Sequence, residues 1–387
     1  MDYLFIFATF LLAALTARFI IPRILLISIR KRLFDVPDER KIHTQAIPRL
    51  GGVSFFPTIL FAYALVFAVR VLGGDTFAAT YAQHLLPEML LFVCGMTMLY
   101  LVGIADDLVG VRYRQKFLVQ IFCACLFPLA GLCINDLYGL LGIHQLPAFV
   151  AVPFTIFTVV FITNAINLID GIDGLASGLS GVALLIFTGL FIEKGLWSYA
   201  MLSAATFGVL VPFFYYNVFG NADRARKIFM GDTGSLTLGY TLCFLAIKYC
   251  QYAPSVVISS DDAFFIAFST LLLPAFDVIR VVLYRLRNGR NPFEPDKNHI
   301  HHKLLAIGLT SRRAMVSLVS MACLFCLVNI LLVAYVNSTL LLMVDIIVWV
   351  ALHLWWDYLI KKRKTSIPSP PRNTGMPSSD SGRDAPR

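Results

Sequence analysis

Four polar side chains recur at intervals of three in Asn164-Ala-Ile-Asn167-Leu-Ile-Asp170-Gly171-Ile-Asp173-Gly174, at the end of a strongly apolar run. At helical spacing they would share one ridge, so that two amides and two carboxylates face one small volume, which suits a cation. Gly171 and Gly174 fit a chain that leaves one helix and enters another, and they let backbone approach a ligand where a Cβ would obstruct it. A plain polar turn accounts for the same residues without any chemistry. The choice between the two depends on the other charged clusters in the chain.

Four such clusters exist. The stretch 103–116 holds adjacent Asp106 and Asp107, then Arg112, Arg114 and Lys116. Neighbouring carboxylates repel unless a cation or different protonation states separate them, and a short turn into a helix would return the Lys116 ammonium toward them and toward a bound diphosphate. A solvated loop is the alternative. In 221–235 the run Phe229-Met-Gly231-Asp232-Thr233-Gly234-Ser235 precedes an apolar helix. Asp232 there either caps the helix, with Thr233 and Ser235 as further capping residues, or holds a divalent ion that in turn holds an anion. Phe229 offers a face on which a flat ring could stack. The stretch 285–303 is the most basic and carries His299-Ile-His301-His302. Its histidine spacing does not match a helical zinc pair, so phosphate binding by His and Lys fits better than a metal site. In 34–52, Arg40, Lys41, His43 and Arg49 stand as anion contacts or as topological anchors.

These clusters must be positioned by membrane helices. Of the 387 residues, 58% are hydrophobic and 14% charged, which excludes an ordinary water-soluble domain. A spanning helix needs roughly 20 apolar residues. About eleven segments qualify, near 3–28, 51–72, 86–104, 115–134, 148–167, 175–193, 197–217, 234–251, 263–284, 314–335 and 339–360, with Pro153 and Pro212 interrupting the pattern. The expected fold is all-α and polytopic, a single transmembrane domain over 1–364. Lys and Arg concentrate in the loops after segments one, three, seven and nine and in the C-terminal tail, which places the N-terminus outside and the C-terminus in the cytoplasm. Arg70 and Lys194 are the visible exceptions. Five cytoplasmic loops, about 29–50, 105–116, 164–175, 218–235 and 285–313, then carry every motif. The third of them lacks Lys and Arg, so topology does not explain its acids, and a metal or a proton relay does.

The first segment lacks a basic leader region and runs too long for a signal peptide. The eight cysteines lie in or beside apolar segments and read as small hydrophobes. Asp277 and Arg280, one turn apart, are expected to pair as a structural element. Lys361-Lys-Arg-Lys364 suits anionic headgroups, and the Pro- and Ser-rich tail 365–387 reads as disordered.

Taken together, Asp106-Asp107 with Lys116, the Asn164 to Asp173 block, Phe229-Met-Gly-Asp232-Thr-Gly-Ser and His299-Ile-His301-His302 resemble, in order and topology, the polyprenyl-phosphate N-acetylhexosamine-1-phosphate transferases. The resemblance covers about residues 30–315. Within that family the Pro292-Phe-x-Pro-Asp-x-x-His-Ile-His-His form looks like the bacterial undecaprenyl-phosphate N-acetylglucosaminyl-1-phosphate transferases of surface-polymer synthesis, such as lipopolysaccharide O-antigen. The muramoyl-pentapeptide translocases usually show consecutive histidines there, and Ile300 departs from them.

The resemblance implies transfer of a sugar-1-phosphate, N-acetylglucosamine foremost, from a UDP-sugar to undecaprenyl phosphate with release of UMP, on the cytoplasmic face of a bacterial inner membrane. It implies Mg2+, with Mn2+ as a substitute, held by Asp232 and Asn167. Lys116, His301 and His302 would hold the diphosphate, with His299, Asn164, Asp170 and Arg49 lining the substrate site. Phe229 would stack on uracil, Asp173 would fix the nucleotide, and Asp106 or Asp107 would accept the proton of the lipid phosphate. Other UDP-N-acetylhexosamines or UDP-MurNAc-pentapeptide are alternative donors, a homodimer is compatible with the family, and no nucleic-acid partner is expected. Direct attack by the lipid phosphate is preferred over a covalent intermediate on Asp107. A transporter would keep its ionisable residues near the midplane, and a phosphatase would not need Phe229, so both stand behind the transferase.

Overall fold

A computed structural model describes residues 1–35, 47–251, 262–291 and 298–366. Arg40, Lys41, His43, Asp296, Lys297 and the tail beyond 366 therefore lie outside the described residues. The chain is helical except for a two-residue antiparallel ribbon pairing Phe34 with Pro48 and Asp35 with Ile47. Its long helices are α1 (Asp2–Arg30), α2 (Phe55–Leu72), α3 (Thr76–Val109), α4 (Tyr113–Leu129), α5 (Ala148–Ile169), α6 (Leu175–Glu193), α7 (Trp197–Val218) and α8 (Gly231–Gln251). The short α9 (Ala263–Ser269), α10 (Leu272–Arg287), the short α11 (Ile300–Ile307), α12 (Ser311–Leu332) and α13 (Ser338–Ser366) complete the order.

Each of the eleven predicted segments contains a helix. Among the described residues, eight helices are long and apolar enough to cross a membrane, and a ninth crossing exists if α9 and α10 count as one span. The two segments outside that set have physical reasons. Helix α4 has 17 residues, about 26 Å of rise against a hydrocarbon core of roughly 30 Å. Helix α8 is polar for a span because it does not face lipid: every residue from Thr233 to Ile247 is buried. Pro153 and Pro212 lie inside α5 and α7 without ending them. The segment predicted as one helix over 263–284 is instead bent by 77°. Ser269 and Thr270 turn their hydroxyls back to the Ile266 and Ala267 carbonyls at 2.8 and 2.7 Å, and Pro274 falls in the first turn of α10, where its missing N–H costs no bond.

Helix α8 forms the axis of the bundle. Helices α3 and α5 pack along it together with α6 and α9, while α7 packs between α1 and α6. Close approach depends on small residues: a Cβ at Gly239 would stand 2.8 Å from the Thr163 Cα of α5. The hydroxyls of Thr237 and Thr241 bond to carbonyls of their own helix at 2.7 and 2.8 Å, so they add no unsatisfied group to the core. Toward the other end, Glu88 of α3 accepts from Tyr199 of α7 at 3.0 Å and from Lys248 of α8 at 2.6 Å, which neutralises a buried acid.

The exceptions to the basic-loop pattern are also neutralised locally. Arg70 pairs with Asp75 at 2.7 Å and with Asp2, and Lys194 sits 4.3 Å from the centre of the Tyr249 ring. All eight cysteines are free, four of them buried in the bundle.

The α8 start is clamped by the segment before α2. Gly51 and Gly52 donate to the Phe229 and Met230 carbonyls at 2.9 and 2.8 Å. A Cβ at Gly52 would lie 2.1 Å from the Gly234 nitrogen, whereas one at Gly189 in α6 would meet nothing within 4 Å. Gly52→Ala is therefore expected to destabilise the detergent-solubilised protein by about 2–3 kcal/mol, read as a lowered thermal midpoint. Gly189→Ala should leave that midpoint unchanged or slightly raised. Equal midpoints for the two variants would contradict the close packing at Gly52.

Candidate active site at the start of the central helix

The two adjacent acids at the end of α3 do different things. Asp107 turns to the first turn of α8, where its carboxylate accepts from the Asp232 and Thr233 amides at 2.8 and 3.0 Å and from the Thr233 hydroxyl at 2.6 Å. A carboxylate from another helix thus supplies the cap that the exposed N–H groups of α8 need. This corrects the expectation that Asp232, Thr233 or Ser235 caps the helix, since the Ser235 hydroxyl donates to the Gly231 carbonyl at 3.1 Å. Gly231, at φ 74°, is doubly constrained, because a Cβ there would also strike the Arg49 carbonyl and the Asp107 carboxylate.

Asp106 faces the other way. It accepts from the Val111 amide at 2.6 Å and from the Lys116 ammonium at 2.9 Å. Gly110, at φ 74°, makes the turn that sends α4 back, as the spacing predicts. Lys116 also bonds Asp232, so one ammonium joins carboxylates contributed by α3 and α8. Both carboxylates and the ammonium retain partial exposure, at 17%, 26% and 16%.

The block 164–174 does not keep its four polar residues on one ridge. Helix α5 ends at Ile169, with Asp170 at its C-terminal cap. Asn164 is drawn to Gln120 of α4 and to the Val160 carbonyl at 2.8 Å. Asn167 donates to Ser235 at 2.8 Å and lies within hydrogen-bonding reach of Asp232. Asp170 enters the same field: burial, together with the negative charges of Asp232 and Asp173, pushes its carboxyl up to about 7, against the opposing charge of Arg49. Asp173 is not without a basic partner, as its own loop implied. Lys227, from the loop between α7 and α8, meets it at 2.5 Å.

Asn217, at the end of α7, ties these loops together and was not identified from sequence. It accepts from the Gly174 amide at 2.6 Å and donates to the Ile228 carbonyl at 2.9 Å. A buried amide at the mouth of an apolar helix was the available signal.

The histidine run is organised from within α10. Asp277, fully buried, accepts from the Ile300 amide at 2.9 Å, contacts the His299 Nδ1 at 2.8 Å and pairs with Arg280 at 2.9 Å. The expected Asp277–Arg280 pair exists, and the same carboxylate also caps α11. His299 thus faces the scaffold. His301 is buried with its ring over Gly171, where a Cβ would lie 2.2 Å from Nε2. Burial, reinforced by the flanking His302 and His299, holds its pKa down to about 3, so in the unliganded protein it is a neutral imidazole. The His302 ring lies 4.3 Å from it, centre to centre. Phe229 is half-buried, with its amide on the Pro48 carbonyl at 2.8 Å, and Arg49 is exposed beside that junction.

Four loops distant in sequence thus meet at the α8 start, and the histidine loop joins them through His301 on Gly171. Residues 89–250 match the glycosyl transferase family 4 model. A probable undecaprenyl-phosphate N-acetylglucosaminyl 1-phosphate transferase of Bacillus subtilis is 30% identical over 80% of this chain and 80% of its own length. The chain belongs to the polyprenyl-phosphate N-acetylhexosamine-1-phosphate transferases. Undecaprenyl-phosphate alpha-N-acetylglucosaminyl 1-phosphate transferases of Salmonella typhi and Escherichia coli K12 are 30% and 28% identical, over 75% and 77% of this transferase and 74% and 76% of their own chains.

Asp170 gives the site of this transferase a pH signature. Its carboxyl has a higher affinity for protons when folded than when unfolded, so the folded state binds the extra proton between about pH 4 and 7 and the wild type loses stability as pH rises through that window. Asp170→Asn removes this loss. Thermal midpoints of ligand-free protein should coincide at pH 4, diverge in favour of the variant through pH 7, and stay apart above it. Parallel curves would refute the buried, repelled carboxyl.

Proposed function

We propose that this membrane transferase moves N-acetylglucosamine-1-phosphate from a UDP-sugar to undecaprenyl phosphate, releasing UMP and forming the lipid diphosphate that starts a bacterial surface polymer. The reading places the reaction on the cytoplasmic face of the inner membrane. The observation that carries it is the Lys116 ammonium between Asp106 and Asp232 at the start of the central helix, in a chain whose relatives are named undecaprenyl-phosphate N-acetylglucosaminyl 1-phosphate transferases.

Two phosphate-bearing substrates repel each other, so the site must neutralise charge and fix geometry. Lys116 and Arg49 supply positive charge beside the acids, and neutral His301 with His302 supplies ring nitrogens to phosphate oxygens. The donor set suits a hard cation: Asp232 and the Asn167 amide are oxygen donors, and Asp106 and Asp170 lie near. Mg2+ takes one or two carboxylates and completes its shell with substrate phosphates and water. Bound there by Asp232 and Asn167, Mg2+ would neutralise charge developing on the diphosphate.

In the proposed step an oxygen of the lipid phosphate forms a bond to the β-phosphorus of the UDP-sugar. The bond from that phosphorus to the bridging oxygen breaks, and UMP leaves with the electron pair. Any proton remaining on the lipid phosphate passes to Asp106. Asp107 is a poor nucleophile for a covalent route, because its two oxygens already accept three bonds from α8. Phe229 is assigned to the uracil and Asp173, with Lys227, to the nucleotide.

The test is UMP release by purified protein with undecaprenyl phosphate, Mg2+ and a panel of UDP-N-acetylhexosamines. Release should require lipid and ion, prefer UDP-N-acetylglucosamine, and fall at least about 100-fold in Asp232→Ala and in Lys116→Ala, with both variants folded by thermal midpoint. Lipid-independent release would make the protein a hydrolase, and an undiminished Asp232→Ala would remove the site from the chemistry.

A further inference from the structure

A second charged site lies on the far side of α7 from this cluster. Between α1 and the C-terminal end of α7 there is a cleft of about 760 Å3. Arg18 of α1 and Arg224 and Arg226 of the turn after α7 line it, and no carboxylate is among its described lining residues. Leu25, Leu26 and Ile29, further along α1 from Arg18, and Phe219 add apolar lining.

The Arg18 side chain and the backbone of the turn that carries Arg224 and Arg226 are held in place. The Arg18 guanidinium donates to the Tyr216 hydroxyl and lies 5.3 and 5.9 Å from the Tyr216 and Tyr215 ring centres. The turn is closed by Asn221, whose side chain accepts from the Asp223 and Arg224 amides at 2.8 and 3.3 Å and whose carbonyl accepts from the Arg226 amide at 2.9 Å. Ala225 takes a positive φ of 52° within it. A non-glycine residue in that conformation is uncommon, and here it falls between the two arginines.

We propose that this cleft binds the phosphate headgroup of an anionic phospholipid. Guanidinium groups match phosphate oxygens in geometry as well as charge. Paired tyrosines at the end of a membrane helix mark headgroup level. From Arg18 back toward the start of α1, the exposed Leu15, Leu11 and Phe7 continue the same side of the helix as an apolar surface, where the lipid's acyl chains would run. A soluble phosphate compound would have no use for that surface. The same turn directs its next residue, Lys227, to Asp173 in the catalytic cluster. A lipid held by Arg224 and Arg226 therefore steadies a loop that also reaches the nucleotide side of the active site.

The test is native mass spectrometry of the full chain released from mixed micelles containing phosphatidylglycerol or phosphatidylcholine. Wild type should retain one phosphatidylglycerol in preference to phosphatidylcholine. The double variant Arg224→Gln/Arg226→Gln should retain it about tenfold less. Arg18→Gln, on a different element, should reproduce the loss, and Lys361→Gln/Lys362→Gln, which removes equal charge from another basic surface, should not. Millimolar inorganic phosphate should fail to displace the lipid. Equal retention of the two lipids, equal loss in the two double variants, or displacement by inorganic phosphate would each overturn the assignment.

Discussion

The arrangement depends on the start of one buried helix. Helix α8 runs through the middle of the bundle with its first turn where four loops converge, and unpaired amides in such a place are costly. Asp107 of α3 meets them with both carboxylate oxygens, so α3 and α8 are joined at one end by a charged cap and at the other by Glu88 with Lys248. Glycines make the junction possible. Gly52, Gly103, Gly231 and Gly234 sit where a Cβ would strike neighbouring backbone or the Asp107 carboxylate. With the cap in place, Asp232 is free of capping duty and faces Lys116 and Asn167 instead.

Electrostatically the site is poised rather than satisfied. Asp106, Asp107, Asp170, Asp173 and Asp232 are concentrated within a small region, with Lys116, Lys227 and Arg49 as the nearby positive groups. Burial first, and then repulsion from Asp232 and Asp173, raises the Asp170 carboxyl. In the proposed reaction a divalent cation bound here would relieve that repulsion, and the anionic substrates would bring their phosphate oxygens to it. Lys116 would then exchange a carboxylate partner for a phosphate one.

The histidine loop is a separate module fixed to the same frame. The 77° break between α9 and α10 brings Asp277 to where it caps α11 and orients His299. His301 can then lie flat on Gly171, next to Asp170, which ties the last basic loop to the acidic one. Helix α13 supports the arrangement from outside through Asp357, bonded to Lys303 at 2.8 Å.

The apolar runs alone determined that the chain is a helical membrane protein and where most of its long helices fall, because burial in lipid leaves the backbone no alternative to internal hydrogen bonding. The types and spacing of Asp106, Lys116, Asn167, Asp232 and the histidines likewise marked the candidate site, since the three-residue turn 110–112 suffices to return Lys116 to Asp106. What no local pattern contains is partnership across loops. The division of labour between Asp106 and Asp107, the Lys227 partner of Asp173, the withdrawal of Asn164 toward Gln120 and the role of Asn217 all arise from helices brought side by side. The central place of α8 belongs with these, because its polarity reads as a weak span until the surrounding helices exclude lipid from it. Tertiary structure decided these points for one reason: the free energy of a buried charge or amide depends on the groups that surround it, and here they come from distant parts of the chain.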